Sequence, residues 1–213
     1  MTDDDNPPNI HYYSNPFTAQ KMKIKLKNIA SVQMGYSFRS RLEPDQKGNI
    51  AVIQMKNLTE DNFVDHQNLI LVKLTDFKEH HRAELNDLVF RSRGQINTAA
   101  LIDENIGPSV VAAPLLRIRI EKDSVLPAYL CWFINQRSSQ IFIQSKSNSA
   151  AMRMTGKSVL EDLEVVLPSI EIQQRIVTLE KLSSQEQYLM SKLCDKKRQI
   201  MNKVLLELAT TIQ

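Results

Sequence analysis

Residues 169–213 read SIEIQQRIVTLEKLSSQEQYLMSKLCDKKRQIMNKVLLELATTIQ, without a Gly or a Pro. Apolar residues recur in two runs at helical spacing. Ile172, Ile176, Leu179 and Leu182 form the first; Leu189, Leu193, Ile200, Val204 and Leu208 form the second. Steps of three, four and seven place them on one helix face. Pro168 closes the preceding segment, Ser169 is a suitable N-cap, and Glu171 sits where the helix dipole favours an acid. At about 1.5 Å per residue, such a helix reaches roughly 65–70 Å. A rod of that length cannot bury its own apolar face, so the pattern predicts a helix at 169–213 that needs a partner helix. The expected pairing residues are Ile176, Leu179, Leu182, Leu189, Leu193, Ile200, Val204 and Leu208. The polar patch Ser183-Ser-Gln-Glu-Gln187 interrupts the seam and marks a stutter or a kink. The competing expectation is a shorter C-terminal helix packed on its own domain.

The remaining 168 or so residues bound the rest. A chain of 213 residues, 42% hydrophobic and 24% charged, suits one sizeable globular core with an appendage. No apolar run approaches the ~20 residues of a membrane span. The acidic start Met1-Thr-Asp-Asp-Asp5 is unlike a secretory signal, and Cys131 and Cys194 make no disulfide framework. The expectation is a cytoplasmic protein with reduced thiols and no membrane partner. The net charge of +3 is unevenly spread. Residues 21–60 carry eight Lys/Arg against three Asp/Glu, and residues 81–160 carry ten against six. Residues 161–213 carry seven against eight, so the basic excess lies in the body and not in the helix. A basic body suits a nucleic-acid binder, and equally an ordinary basic protein.

Along the chain, residues 1–20 are polar and Pro-bearing and read as a tail. Lys21–Lys27 alternates strictly, with Met22, Ile24 and Leu26 on one face and four lysines on the other, which predicts a strand with one wet face. Such lysines protect an edge more often than they line DNA. Residues 37–48 read as a loop by their Pro, Gly and charges. Further strands are expected at 48–58, 69–74, 88–90, 98–102, 110–120 and 163–167, with turn chemistry at Asn86-Asp87. Leu126–Gln136 switches to helical spacing with Pro127 at a first helical position, and the helix is expected to run on through Ile141 and Ile143. Residues 145–157 read as loop. The fold class is therefore α/β, an α+β mixed-sheet domain at 21–168, followed by a long coiled-coil helix.

Apparent catalytic signatures fail on inspection. Asn6-Pro7-Pro8-Asn9 lacks the aromatic fourth residue of the amino-methyltransferase loop, and no glycine-rich cofactor fingerprint accompanies it. Gly156-Lys157-Ser158 has Ala151 where a P-loop needs Gly. Asp45 with Asp76 and Lys78 forms a loose metal-nuclease pattern. His80 and His81 are adjacent and on a regular element point apart; no Cys/His group has zinc spacing. Cys131 lies in an apolar helical stretch and reads as core. Neither a metal nor a cofactor is expected.

What remains is a set of cationic and amide side chains in loops. Arg39, Arg41 and Lys47 lie in the first; Lys56 and Asn57 end a strand; Arg91, Arg93, Gln95 and Asn97 follow Val89-Phe90; Lys146, Asn148, Arg153 and Lys157 lie in the last. Arg and Lys offer donors to guanine, Asn and Gln pair with adenine, and any cation holds phosphate. The predicted double-stranded-DNA-facing set is Arg39, Arg41, Lys56, Arg91, Arg93, Gln95, Asn97, Lys146, Arg153 and Lys157.

Four stretches carry a family resemblance. Leu163-Glu-Val-Val-Leu-Pro168-Ser-Ile-Glu-Ile-Gln-Gln174-Arg-Ile176 resembles the strand, Pro, Gln-x-Ile entry into the long helix of type I restriction–modification specificity subunits. Leu126-Pro-Ala-Tyr129-Leu130 is similar to that family's step into a helix. Leu85-Asn-Asp87-Leu-Val-Phe90-Arg-Ser-Arg-Gly94 is similar to its Gly-Asp-hydrophobic strand and basic loop, with Asn86 in place of Gly. Leu26–Gly35 resembles the opening segment. The likeness covers roughly 21–213. It implies a half-length form with one target-recognition domain and one helix, where the family normally has two of each with the helices antiparallel. It further implies that this chain performs no catalysis, reads one half of a bipartite target, and forms a homodimer or pairs with another half-subunit. Its other implied partners are methyltransferase (M) subunits, which bind S-adenosylmethionine, and a motor-nuclease restriction (R) subunit. A protein-interaction adaptor and a metal-dependent nuclease are the alternatives.

Overall fold

The computed structural model describes residues 22–75, 77–94, 97–146 and 154–211. The expected tail at 1–20 lies outside the described residues. The strands are β1 (Met22–Lys25), β2 (Ala30–Met34), β3 (Ile50–Ile53), β4 (Ile70–Val72), β5 (Leu88–Phe90), β6 (Ala99–Leu101), β7 (Ser109–Val111), β8 (Leu116–Ile120) and β9 (Glu164–Leu167). The helices are α1 (Pro127–Asn135), α2 (Arg137–Lys146), α3 (Lys157–Glu161) and α4 (Ile170–Thr211).

A four-stranded antiparallel sheet, β2-β8-β5-β6, forms the centre. One face carries Ala30, Val32, Leu88, Phe90, Leu116 and Ile118, which pack with Leu130, Ile134, Ile143 and Leu160 from α1, α2 and α3. The other carries Val89 and Ala100, which meet Ile53 and Val111 of the second sheet. That sheet, β4-β3-β7, is mixed, with β3 antiparallel to β4 and parallel to β7. Its outer face holds Ile50, Val52 and Val110 under Phe38, Leu42 and Phe77. Strands covered on both sides need no alternation, which explains the uninterrupted Leu88-Val-Phe90 and Ile50-Ala-Val-Ile53. The mixed-sheet α/β architecture agrees with the sequence reading.

Three boundaries differ from it. The apolar run 110–120 is two strands, split by the Ala113-Pro114 turn; Pro114 cannot donate to a ladder. The 126–143 helix breaks at Gln136, because the Asn135 side chain is drawn to the backbone of Ala99, accepting from its N–H at 2.8 Å and donating to its O at 2.9 Å. Ile143 is then core and Ile141 exposed. The 48–58 strand ends at Ile53 and passes into a 3₁₀ turn, Met55–Asn57. At the start, Met22 is exposed, contrary to the alternation, and the inward residues are Ile24 and Leu26. The lysines of β1 face acids beside β9: Lys25 meets Asp162 at 2.9 Å and Lys23 meets Glu164 at 3.6 Å. The Lys25 hydrogen bond holds the Asp162 carboxyl below the usual range.

α4 is a single helix of 42 residues, about 63 Å long, with no break at Ser183–Gln187. Ser, Gln and Glu are all compatible with a helix interior at small cost. Only its first two turns touch the domain. Gln173 is fully buried; its Nε2 donates to Ser124 O at 2.8 Å and to Pro168 O at 2.9 Å, and its Oε1 accepts from Leu126 N at 2.9 Å. Beside this root the Tyr129 hydroxyl donates to Val166 O at 2.5 Å, and burial raises its pKa. From Thr178 onward every residue with described exposure is exposed, so the packed-back alternative is not what forms. Of the expected pairing residues, Ile176 is half-buried in the root, while the other seven stand open.

Candidate nucleic-acid interface

The antiparallel ladder brings the ends of β2 and β5 and the start of β8 to one edge of the central sheet. The Tyr36–Ala112 bridge and the parallel β3–β7 pair bring the ends of β3 and β7 to the same edge. The far end of β8 leads through Ser124 and Leu126 to the root of α4. The domain thus has a loop pole and, opposite it, a helix pole.

Gly35 builds the loop pole. A Cβ there would lie 2.7 Å from Ala112 C and Val111 O, so only glycine lets β2 end against β7. Tyr36 N then donates to Val111 O at 2.7 Å and Ala113 N to Tyr36 O at 2.9 Å. Beyond them Phe38 and Leu42 turn inward to the core and Arg39 and Arg41 remain exposed. Ser37, Ser40 and Arg41, with Gln54, Met55 and Pro114, line an open concavity of about 590 Å³. Lys56 directly follows Met55 of that lining. Buried Asn57 accepts from Gln54 N at 3.0 Å and donates to Asn68 O at 3.1 Å, leaving Lys56 exposed between fixed residues.

The loop after β5 reaches the same pole. Ser92 Oγ donates to Pro114 O, Thr155 N donates to Ser92 O at 2.7 Å, and Arg93 bridges to Met154. Arg93 is exposed, with its guanidinium 3.9 Å from Met154 Sδ. Lys157, two residues after Thr155, is exposed and lies 3.5 Å from Glu161. Arg39, Arg41, Lys56, Arg93 and Lys157 therefore gather at one pole from four separate segments.

Other predicted members do not join them. Asn97 is buried and its amide donates to Arg91 O at 2.8 Å, so it shapes the loop from inside. Arg91 is half-buried and spends a guanidinium donor on Leu58 O at 2.5 Å. Lys146 ends α2 and is exposed, with no contact tying it to this cluster among the described residues. Gln95 and Arg153, like Asn148 and Asp76, lie outside the described residues. Gln54 is the residue that sequence reasoning missed: it sat within a stretch read as strand, and the strand in fact stops one residue before it.

Among the described residues no three His, Cys, Asp or Glu are grouped to hold a metal. Asp45 instead accepts from Lys47 N at 2.8 Å. His80 and His81 do not point apart: in their 3₁₀ turn the rings lie 4.1 Å apart, with His81 edge-on to Tyr36. Burial, and then the nearby His80 charge, lower the His81 pKa. Cys131 is core, and burial pushes its thiol up to about 12, whereas Cys194 is exposed on α4. A thiol reagent at neutral pH should consume one equivalent from the folded protein and a second only in denaturant; two fast equivalents would contradict this packing.

The family model described as "Type I restriction modification DNA specificity domain" matches residues 19–191. The chain belongs to that family. A search of curated proteins finds no match. Solved structures of similar fold include a chain from work on complex assembly and conformational transition of the type I R-M system, at 15% identity and TM-score 0.62 over 82% of this chain and 41% of that one. The HsdS subunit from Thermoanaerobacter tengcongensis matches at 15% identity and TM-score 0.60, over 83% of this chain and 40% of its own. The type I S subunit from M. genitalium matches at 14% and 0.51, over 82% and 42%. This specificity-domain chain spans about two-fifths of the length of those it matches. No described helix is long and apolar enough to cross a membrane.

Proposed function

We propose that this chain is a non-catalytic DNA sequence-recognition subunit. Its domain reads one half of a bipartite duplex target through the loop pole. Its helix α4 pairs with that of a second copy, so that two readers act on one site. Supporting this is the exposure of Arg39, Arg41, Lys56, Arg93 and Lys157 on segments that reach the loop pole, where Arg41 and Gln54 line the concavity, at the end of the domain away from the helix root. Phosphate contacts from such a set position the domain, and amide and guanidinium edges within it read bases. The family also supports docking of methyltransferase and restriction subunits, which would supply the chemistry. A two-fold pair of identical readers calls for a palindromic bipartite site.

Selection from a random duplex pool tests this reading. The recognition subunit enriches a motif, whereas an adaptor that uses only the exposed apolar stripe of α4 enriches none. Alanine substitution then sorts the set. If Arg39, Arg41, Lys56 or Arg93 holds phosphate, its loss weakens all sequences alike and lowers the salt slope by about one unit. If it reads a base, about 1–3 kcal/mol disappears at one position of the motif. Gln54→Ala belongs in the same series, and affinity unchanged in every variant would remove this face from consideration.

A further inference from the structure

We propose that α4 pairs with α4 of a second copy in one antiparallel register centred on Ser191, and that a Glu186–Lys196 layer inside the apolar seam fixes it. This rests on the pairing proposed above and specifies how the two helices meet. The face available for it is well defined. At the root, Gln173 is buried and Ile170, Ile176 and Val177 are half-buried against the domain. At 3.6 residues per turn, Leu182, Leu189, Leu193 and Ile200 fall on the opposite side of the helix, where all four are exposed among the described residues. A shallow groove there is lined by Leu182, Gln185, Glu186, Leu189, Met190 and Leu193.

Pairs symmetric about Ser191 match in kind. Leu189 meets Leu193 of the second copy, and Leu182 meets Ile200. Toward the ends the match is looser: Leu179 falls opposite Lys203, next to Val204. Among charges on the same face, Glu186 meets Lys196 and Arg175 meets Glu207. Each pair occurs twice across the two-fold axis. Other arrangements mismatch the central layers. A parallel pair sets Arg175, Glu186 and Lys196 each against itself. Sliding the antiparallel pair by one heptad sets Leu189 against Glu186 in one direction and Leu193 against Lys196 in the other.

The interruption at Ser183–Gln187 then has a purpose. Glu186 and Lys196 have no intrahelical counter-ion among the salt bridges of the described residues. Their neighbours one turn away, Leu182, Leu189, Leu193 and Ile200, are apolar. A polar pair set into such a seam contributes little stability but disfavours every register that leaves one charge unmatched. Ser191 is also near the middle of α4, so this register overlaps the whole helix and places the two roots about 60 Å apart.

Charge exchange, read by sedimentation of the intact chain across a concentration series, tests the register. Glu186→Lys and Lys196→Glu should each weaken self-association by about ten-fold or more, through like charges facing each other twice. The double variant E186K/K196E should recover to within about three-fold of wild type, because the pair is rebuilt with its sign reversed. Circular dichroism of each variant checks that the helix persists. Single variants that associate like wild type would overturn the register and leave pairing intact. So would a helical double variant that fails to recover. A wild-type chain that stays monomeric at every concentration would overturn the pairing as well.

Discussion

Asp87→Ala will lower the melting temperature of the recognition domain by roughly 10 °C or more, the largest loss expected from any single substitution outside the apolar core. Asp87 is 2% exposed and sits in the turn before β5. Its carboxylate accepts from Arg119 Nε at 2.8 Å and Nη2 at 2.7 Å, and from Glu84 N at 2.9 Å, with Arg117 Nη1 at 3.6 Å. Its hydrogen bond raises the Arg119 pKa, while burial lowers that of Arg117, which is only 4% exposed. Arg117 Nε already lacks a partner. Without Asp87 this guanidinium would stay buried with no adjacent carboxylate, a change costing about 3–5 kcal/mol. The turn itself would also lose the bond that closes it on Glu84. Thermal unfolding followed by circular dichroism reads the effect; a shift under about 2 °C would show that water or rearrangement satisfies Arg117 instead. Because this network lies toward the helix pole, base preference below the melting point should survive.

The same turn shows what the sequence made legible. Asn86 stands where the family pattern has Gly, and its φ of 71° is the left-handed conformation that Asn tolerates better than other non-glycine residues. The stretches that carried the resemblance prove to be the joints of the fold: Tyr129 and Gln173 tie α1, β9 and α4 into one root, and Asp87 ties β5 to β8. Such joints need particular side chains at particular spacings, so they leave a readable pattern. Loop residues leave none. Arg91 and Arg93 are two positions apart and chemically identical, yet one turns inward to Leu58 O and the other stays open. Composition could not separate them, because the acceptor lies 33 positions away in sequence. Asn97 also turns inward, to Arg91 O, with nothing in the loop's composition to mark it. The break after Asn135 likewise has no Gly or Pro to announce it, its cause being the bond to Ala99.

Replacing Leu182 and Leu189 together by Asp will produce a single-headed protein. Both side chains are 56% exposed and lie beyond the part of α4 that touches the domain, so domain stability should not move. In the proposed pair they contribute four of the central apolar contacts, and at about 25 cal/mol per Å² their loss outweighs what the rest of the seam supplies. Four carboxylates would instead face the partner's apolar side chains at a cost well above that of exposed acids. The consequence for function is a matter of effective concentration. Once one head is bound, the second searches from a tether no longer than the paired helices, so a duplex with two half-sites binds the wild-type pair roughly 10²–10⁴-fold more tightly than a duplex with one. The double variant should lose that ratio while keeping wild-type affinity for a single half-site, measured on duplexes that differ only in the second half. If it remains dimeric, or if two half-sites confer no advantage on the wild-type chain, α4 does not join two readers, and its exposed stripe serves some partner other than a second copy.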